Sequence, residues 1–488
     1  MVVATDWLSI EWFDPMVILG MFIGWWILLR IWEHNGTLDR WNATRVFGFV
    51  LMIRTERGQK TLEAISRPRK FWRSYGEVSL WICQLTMFLV LFLLIVSFIA
   101  SLTMPNQDPP SASELVAIPG LNPVIPLGWG IMAFIVGLVI HEFGHGIQAR
   151  AHGMRVRSFG LLMLGPLPLG AFAEPQSEEL TKAPNRERLR LFAAGPSTNI
   201  FACVICLIML GGLAGQFAAS QPGLHPQGIV EESGAADGGL RAYDTIITIE
   251  NNTVEDLSDF SSIMDSHTAG DQITMVVIRH DTGVQETIIV NLTDKYQHYL
   301  DEGYNEELLV QYDIKKGDPF VGVVGLASNT NAVDKLAGPL SPNIEMDPTS
   351  RAISSPFHVL GLLITPFENK GSAMHPIEEG MLTAGDGWLA QTIGLAGLLF
   401  LVNMVFWLIW VNFLLGITNL IPMIPFDGGH MMRDTLRDIL KLIDRAGRKI
   451  GKWKIHPLRL EHIVQKTSSK SSLFLFLMVA MIIIIPYF

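Results

Sequence analysis

His141, Glu142 and His145 fall in the pentapeptide HEFGH. On a helix, residues four apart stack on one face, so the two imidazoles point the same way and Glu142 projects beside them. Paired imidazoles at this spacing are zinc-site geometry, and the adjacent carboxylate stands where a hydrolytic zinc site keeps its general base. A structural pair of hydrogen-bonded histidines would have the same spacing. It gives no reason for Glu142, however, because the motif follows 26 uncharged residues, 115–140, and a carboxylate at membrane depth is costly and by default functional. A catalytic zinc generally takes three protein ligands and leaves the fourth position to water, so a third ligand is required. Asp427 is the candidate: it is expected at the same depth as His145, and Gly428 and Gly429 free the backbone to turn its carboxylate inward. The alternative for Asp427 is an ordinary loop turn beside a glycine pair.

The elements that must hold these residues are membrane spans. With 488 residues, 17% of them charged, and a mean hydropathy of +0.34, the chain is too apolar for an ordinary soluble protein. Uncharged runs at 16–29, 79–104, 115–140, 191–224, 387–426 and 471–488 give six expected spans. The first is no cleavable signal peptide, since Asp6, Glu11 and Asp14 precede it where basic residues belong. Residues 158–173 are apolar but short, and Gly160, Gly165, Pro166, Pro168 and Gly170 make them a re-entrant or interfacial hairpin. Residues 387–426 as one straight helix would run about 60 Å, twice the hydrocarbon thickness. Pro422 and Pro425 predict that the end of this run unwinds.

Charge orients the chain. Residues 34–78 carry nine Lys or Arg and 429–470 carry eleven, whereas 105–122 carry none, which places the basic loops in the cytoplasm. Residues 225–386 then lie outside, with 8 basic against 26 acidic residues, while the chain as a whole has a net charge of −10. Neither half points to nucleic acid. Cys83, Cys203 and Cys206 all fall in apolar spans, so no disulfide framework is indicated, and the C-x-x-C at 203–206 reads as packing.

HEFGH together with NLIPMIPFDGG resembles the site-2 protease family of intramembrane zinc metalloproteases. The second motif, N-x-x-P-x-x-P-x-D-G, stands here as Asn419, Pro422, Pro425, Asp427 and Gly428. The resemblance implies one Zn2+ per chain on His141, His145 and Asp427, with Glu142 as general acid and base. GPSTN, Gly195 to Asn199, resembles the family's G-P-x-x-N element, which makes Asn199 a donor to the substrate backbone or oxyanion; an interhelical hydrogen bond is the alternative. Residues 222–294 resemble a PDZ domain, with Tyr243-Asp244 where a Gly-Asp pair is usual, so capture of a peptide C-terminus competes with a purely steric role.

The expected architecture is a polytopic α-helical membrane protein of about six transmembrane helices, with a re-entrant hairpin and an inserted extracytoplasmic PDZ-like α/β domain. Two N-terminal helices and a basic cytoplasmic loop occupy 1–104, and a catalytic membrane core is split between 115–220 and 387–435. The PDZ-like domain (222–294) and a connecting segment (295–386) lie between those parts, and a basic cytoplasmic segment (436–470) leads to the last span (471–488). The apolar AISSPFHVLGLLITPF, 352–367, reads as a stretch able to touch a membrane surface. The expected activity is regulated intramembrane proteolysis of single-span proteins in the lipid bilayer of a prokaryotic (archaeal or bacterial) cell membrane, with the active site toward the cytoplasm. An inactive metal-binding or ion-conducting membrane protein, and a PDZ-type adaptor, are the rival classes; Glu142 argues against both, because a transport site needs no acid or base beside its ligands.

Overall fold

A computed structural model describes residues 15–487 apart from 56–57, 104–110, 112, 116–117, 166 and 452–453. Asp6, Glu11, Asp14 and Pro166 therefore lie outside the described residues. The chain divides into two compact units, residues 1–206 with 407–488, and residues 207–406.

In chain order, helix α1 (Pro15–His34) is followed by strands β1 (Ala43–Val46) and β2 (Val50–Thr55), then by helices α2 (Arg69–Thr103) and α3 (Leu127–Ala151). Strands β3 (Val156–Leu164) and β4 (Leu167–Pro175) lead to helix α4 (Asn185–Ala214). Next come strands β5 (Phe217–Ala219), β6 (Leu224–His225), β7 (Thr245–Ile249), β8 (Asn252–Thr253), β9 (Gln272–Ile278), β10 (Gln285–Asn291) and β11 (Ala327–Ser328). Helices α5 (Pro348–Leu362) and α6 (Thr365–Glu368) precede strand β12 (Leu382–Ala384). Helices α8, α9 and α10 are preceded by the short α7 (Pro376–Gly380) and span Trp388–Asn419, Asp427–Lys449 and Pro457–Ile484. Five of the helices, α2, α3, α4, α8 and α10, are long and apolar enough to cross a membrane. They account for five of the six expected spans; the remaining one, 16–29, falls in the 20-residue α1.

In the first unit the run 115–140 is not one helix. Pro119, Pro123 and Pro126 precede a helix that begins only at Leu127, because each proline removes a donor and pushes its predecessor out of the α region. HEFGH therefore sits inside α3, well before its end at Ala151. α3 packs closely on its neighbours through glycine: a side chain at Gly137 would meet Leu415 of α8, and one at Gly144 would meet Thr198 and the Ala194 carbonyl of α4. Leu80, Cys83 and Met87 of α2 form a core with Leu189 and Ala193 of α4, Leu420, and Met431 of α9.

The apolar stretch 158–173 does turn back on itself, as the antiparallel hairpin β3–β4. It is not isolated. β1 and β2, from the segment expected to be only a basic loop, extend it to a four-stranded sheet in the order β1-β2-β3-β4. Pairing satisfies the backbone groups that an open hairpin would leave bare in an apolar setting. Residues 387–426 also divide as expected: α8 ends at Asn419, turns fill 420–426, and α9 begins at Asp427. A second break falls at Gly394, where φ is +66°.

The second unit is built on a six-stranded antiparallel sheet in the order β10-β9-β7-β6-β11, with β8 paired to β7. Ile246, Ile249, Ile273, Met275, Val277 and Val290 alternate into one fully buried core, each such side chain contributing roughly 1.5–3 kcal/mol. Strand β11 comes from beyond residue 294, so the connecting segment completes the sheet. Tyr243 holds φ at +66°, a conformation that glycine adopts without strain. Here the Tyr243 ring stacks on His375 at 4.7 Å and 7°.

Candidate metal centre

Three candidate ligand atoms meet at the junction of α3 and α9. His141 and His145, one helical turn apart on α3, bring their Nε2 atoms within 3.2 Å of each other. Asp427 is the first residue of α9, and its Oδ2 lies 3.2 Å from His141 Nε2 and 3.3 Å from His145 Nε2. Among the described residues this is the one group of three or more His, Cys, Asp or Glu side chains spaced to hold a metal. The spacing fits zinc: ligand atoms about 2.0 Å from a tetrahedral centre stand roughly 3.3 Å apart.

The backbone around the triangle explains why these residues converge. His145 Nδ1 donates to the Leu191 carbonyl of α4 at 2.7 Å. A carbonyl only accepts, so the ring proton sits on Nδ1 and the Nε2 lone pair faces the other two ligands. Gly195 of α4 lies directly against both rings, and a Cβ there would overlap Nε2 of His141 and of His145. Gly428 and Gly429 are equally constrained, since a Cβ on either would run into the backbone of 420–424. The turn after α8 thus folds back on the start of α9 and presents the Asp427 carboxylate. Ser472 of α10 accepts a hydrogen bond from the Ile424 N–H in that turn at 3.2 Å.

Glu142 points to the sheet side of α3. Its Oε2 accepts from the Ala173 N–H of β4 at 2.7 Å. It lines a cavity of about 230 Å³ with Ile53, Thr55, Val139, Phe143, Phe159, Gly160, Leu161 and Phe172. Among the described residues, Glu142 is the only ionisable group in that lining. A carboxylate in an apolar chamber beside a candidate metal position is arranged for proton transfer.

Asn199, one turn beyond Gly195, is fully buried, and a Cβ added at Gly416 of α8 would stand 3.6 Å from its Cβ. Neither of its amide atoms has a hydrogen-bond partner among the described residues. The interhelical hydrogen bond that was the alternative for this residue is therefore not made, and an unsatisfied buried amide calls for an explanation.

Several groups that shape the site went unrecognised. The Leu191 carbonyl and the Ala173 N–H are backbone atoms and carry no side-chain signature. Asp434, two turns after Asp427, is fully buried and accepts a two-pronged fork from Arg188 of α4, both contacts at 2.9 Å, and a third bond from Arg437 at 2.7 Å. A D-x-x-R spacing on α9 was its only trace. His430 stacks on Phe192 of α4 at 4.7 Å and 12°.

A family model described as Peptidase family M50 matches residues 129–452, a range that includes all five candidate residues. An uncharacterized protein of Methanocaldococcus jannaschii is 25% identical over 438 residues, covering 89% of either chain. The zinc metalloprotease Rip1 of Mycolicibacterium smegmatis is 24% identical over 398 residues, 67% of this chain and 90% of its own. Rip1 of Mycobacterium tuberculosis is similar at 22% identity over 384 residues, with the same two shares.

Proposed function

The chain belongs to peptidase family M50, the site-2 proteases, and is a membrane zinc metalloprotease; from that premise we propose that it hydrolyses peptide bonds within the transmembrane segments of single-span proteins. The observation that carries the proposal is the His141, His145 and Asp427 triangle, its two histidines on a helix apolar enough to cross a membrane, with Glu142 facing an apolar cavity beside it. His141, His145 and Asp427 would hold one zinc ion, which would supply the Lewis acidity that activates water near neutral pH. Glu142 takes the proton of the attacking water and returns it to the leaving amine. Asn199 offers its unpaired amide to the substrate backbone or to the oxygen on which charge develops. The cavity lined by β2, β3 and the Glu142 face of α3 receives side chains of the substrate segment, and β4, the outer strand of its sheet, offers an edge along which an extended backbone can lie.

We place the basic loops and the water path to the site on the cytoplasmic side of a prokaryotic membrane, and residues 225–386 outside. The split catalytic core then comprises 115–220 and 387–435. The PDZ-like segment from 222 screens substrates by bulk, consistent with a tyrosine ring packed at the turn where glycine is usual.

A transmembrane helix hides its carbonyls behind its own hydrogen bonds, so cleavage requires local unwinding. Substrates therefore carry Gly, Pro or Asn in the cytoplasmic half of the span. The test is co-expression with tagged single-span proteins whose helix-breaking residues are replaced by Leu. Cleavage slows about 5- to 150-fold on replacement, since unwinding a helix that has lost its breaker costs on the order of 1–3 kcal/mol more. Equal cleavage of both versions contradicts the proposed substrate class.

A further inference from the structure

The apolar stretch 352–367 takes no part in the chemistry above. It forms the last eleven residues of α5, a two-residue link and most of α6. Ile353, Phe357, Leu360, Ile364 and Phe367 recur at intervals of four, three, four and three, the repeat of one helical face. All five are exposed, between 52% and 68%. The opposite face is firmly seated: Val359 and Leu362 are buried, Arg351 donates to the carbonyls of Pro339, Ser341 and Ile344 at 2.6–2.9 Å, and His358 Nε2 donates to the Leu336 carbonyl at 2.9 Å. The rotation of α5 is thus fixed by its own contacts, and the stripe faces outward. A contiguous apolar patch of this size marks an interaction surface.

What covers it follows from where α5 is anchored. The segment 338–342, to which Arg351 is bonded, packs on the end of α4: Gly211 abuts Leu340, and Gly215 abuts Pro342. Gly211 lies in the last turn of α4, one of the helices able to cross a membrane. Strands β5 and β12 pair directly after α4 and just before α8, so this end of the unit lies where two spans leave the bilayer. Trp388, the first residue of α8, is exposed there, as expected of an aromatic at the headgroup level.

We propose that α5–α6 is an interfacial helix whose Ile353, Phe357, Leu360, Ile364 and Phe367 stripe is seated in the lipid bilayer at the boundary between headgroups and acyl chains. The occupant is lipid because the bracket that fixes α5 also fixes it at the level of a span's end; a stripe at that height meets acyl chains without any partner protein. The helix then gives the unit of residues 207–406 a third attachment to the membrane besides α4 and α8.

The test uses the full-length protein in phosphatidylcholine vesicles, with a nitroxide on a single cysteine placed in turn at Phe357, Leu360, Ile364 and, as control, the exposed Ser262. The native cysteines are buried and leave a low background. Collision rates with oxygen, which concentrates in lipid, and with a water-soluble nickel chelate are compared. The account expects the oxygen-to-nickel ratio at the three stripe positions to exceed that at Ser262 several-fold. A ratio equal to the control overturns the proposal. So does low access to both reagents with spin–spin broadening, which would put a second copy of the chain on the stripe. Neither result depends on whether the protein cleaves anything, and three separately labelled samples keep one misfolded variant from deciding the outcome.

Discussion

At His145 the position of one proton determines what the site can bind. Because Nδ1 donates to the Leu191 carbonyl, Nε2 keeps its lone pair for a metal. Gly195 has a matching negative role, leaving room for both imidazoles where any side chain would intrude. Substituting Gly195→Ala is expected to weaken zinc binding about 10–100-fold, the range for losing a support of metal ligands, with little loss of helix stability because alanine favours a helix. Chelator competition on the purified protein measures it, and unchanged affinity would show that α4 does not press on the ligands. The three candidate metal ligands, which the fold brings together, and Glu142 could be picked out because their chemistry is written in side-chain identity and spacing. The atoms that orient them were not, because a carbonyl at Leu191 or an N–H at Ala173 looks like any other in a sequence.

At the scale of elements, the ligands sit on α3 and α9, and something must hold α9 to the rest. Asp434 does so through Arg188 of α4 and Arg437 of its own helix, the latter also paired with Glu461 of α10. A buried carboxylate that receives a two-pronged guanidinium is costly to break from one side only, because the other charges remain. Asp434→Ala is expected to cost about 3–5 kcal/mol, read as a lower thermal midpoint in detergent and a loss of zinc at temperatures the native protein tolerates. A midpoint within a degree of the native one would mean that α9 is held by apolar contacts alone. Apolar length correctly marked five helices, yet the start of α3 was misplaced by twelve residues, since hydropathy does not register the prolines at 119, 123 and 126 as a break. Strands β1 and β2 escaped notice for a different reason. The partner of β2, β3, lies about 100 residues further on, and β1 joins the sheet only through β2, so two such short strands carry no local sign of the sheet they extend.

For the whole molecule, the charge distribution of the loops carries the orientation. Residues 207–406 include the strongly acidic segment, and the basic stretches fall in the other unit. The three native cysteines are all buried, so a cysteine introduced at an exposed site reports cleanly. In intact cells one at Ser262 should react with a membrane-impermeant thiol reagent, and one at Lys441 of α9 should not. The opposite pattern would open the metal centre to the outside and reverse the proposed water path.

The account rests most heavily on Glu142, the one carboxylate among the described residues that faces the apolar cavity beside the three candidate ligands. The decisive measurement compares wild type and Glu142→Gln, both reconstituted with a single-span substrate whose span contains Gly or Pro, and reads zinc content and cleavage on the same samples. About one zinc per chain is expected in both, with cleavage by the variant reduced at least 10²-fold, the lower range for removing a general base. Cleavage by Glu142→Gln at the wild-type rate, with zinc in place, would contradict the assignment of Glu142 and the mechanism built on it.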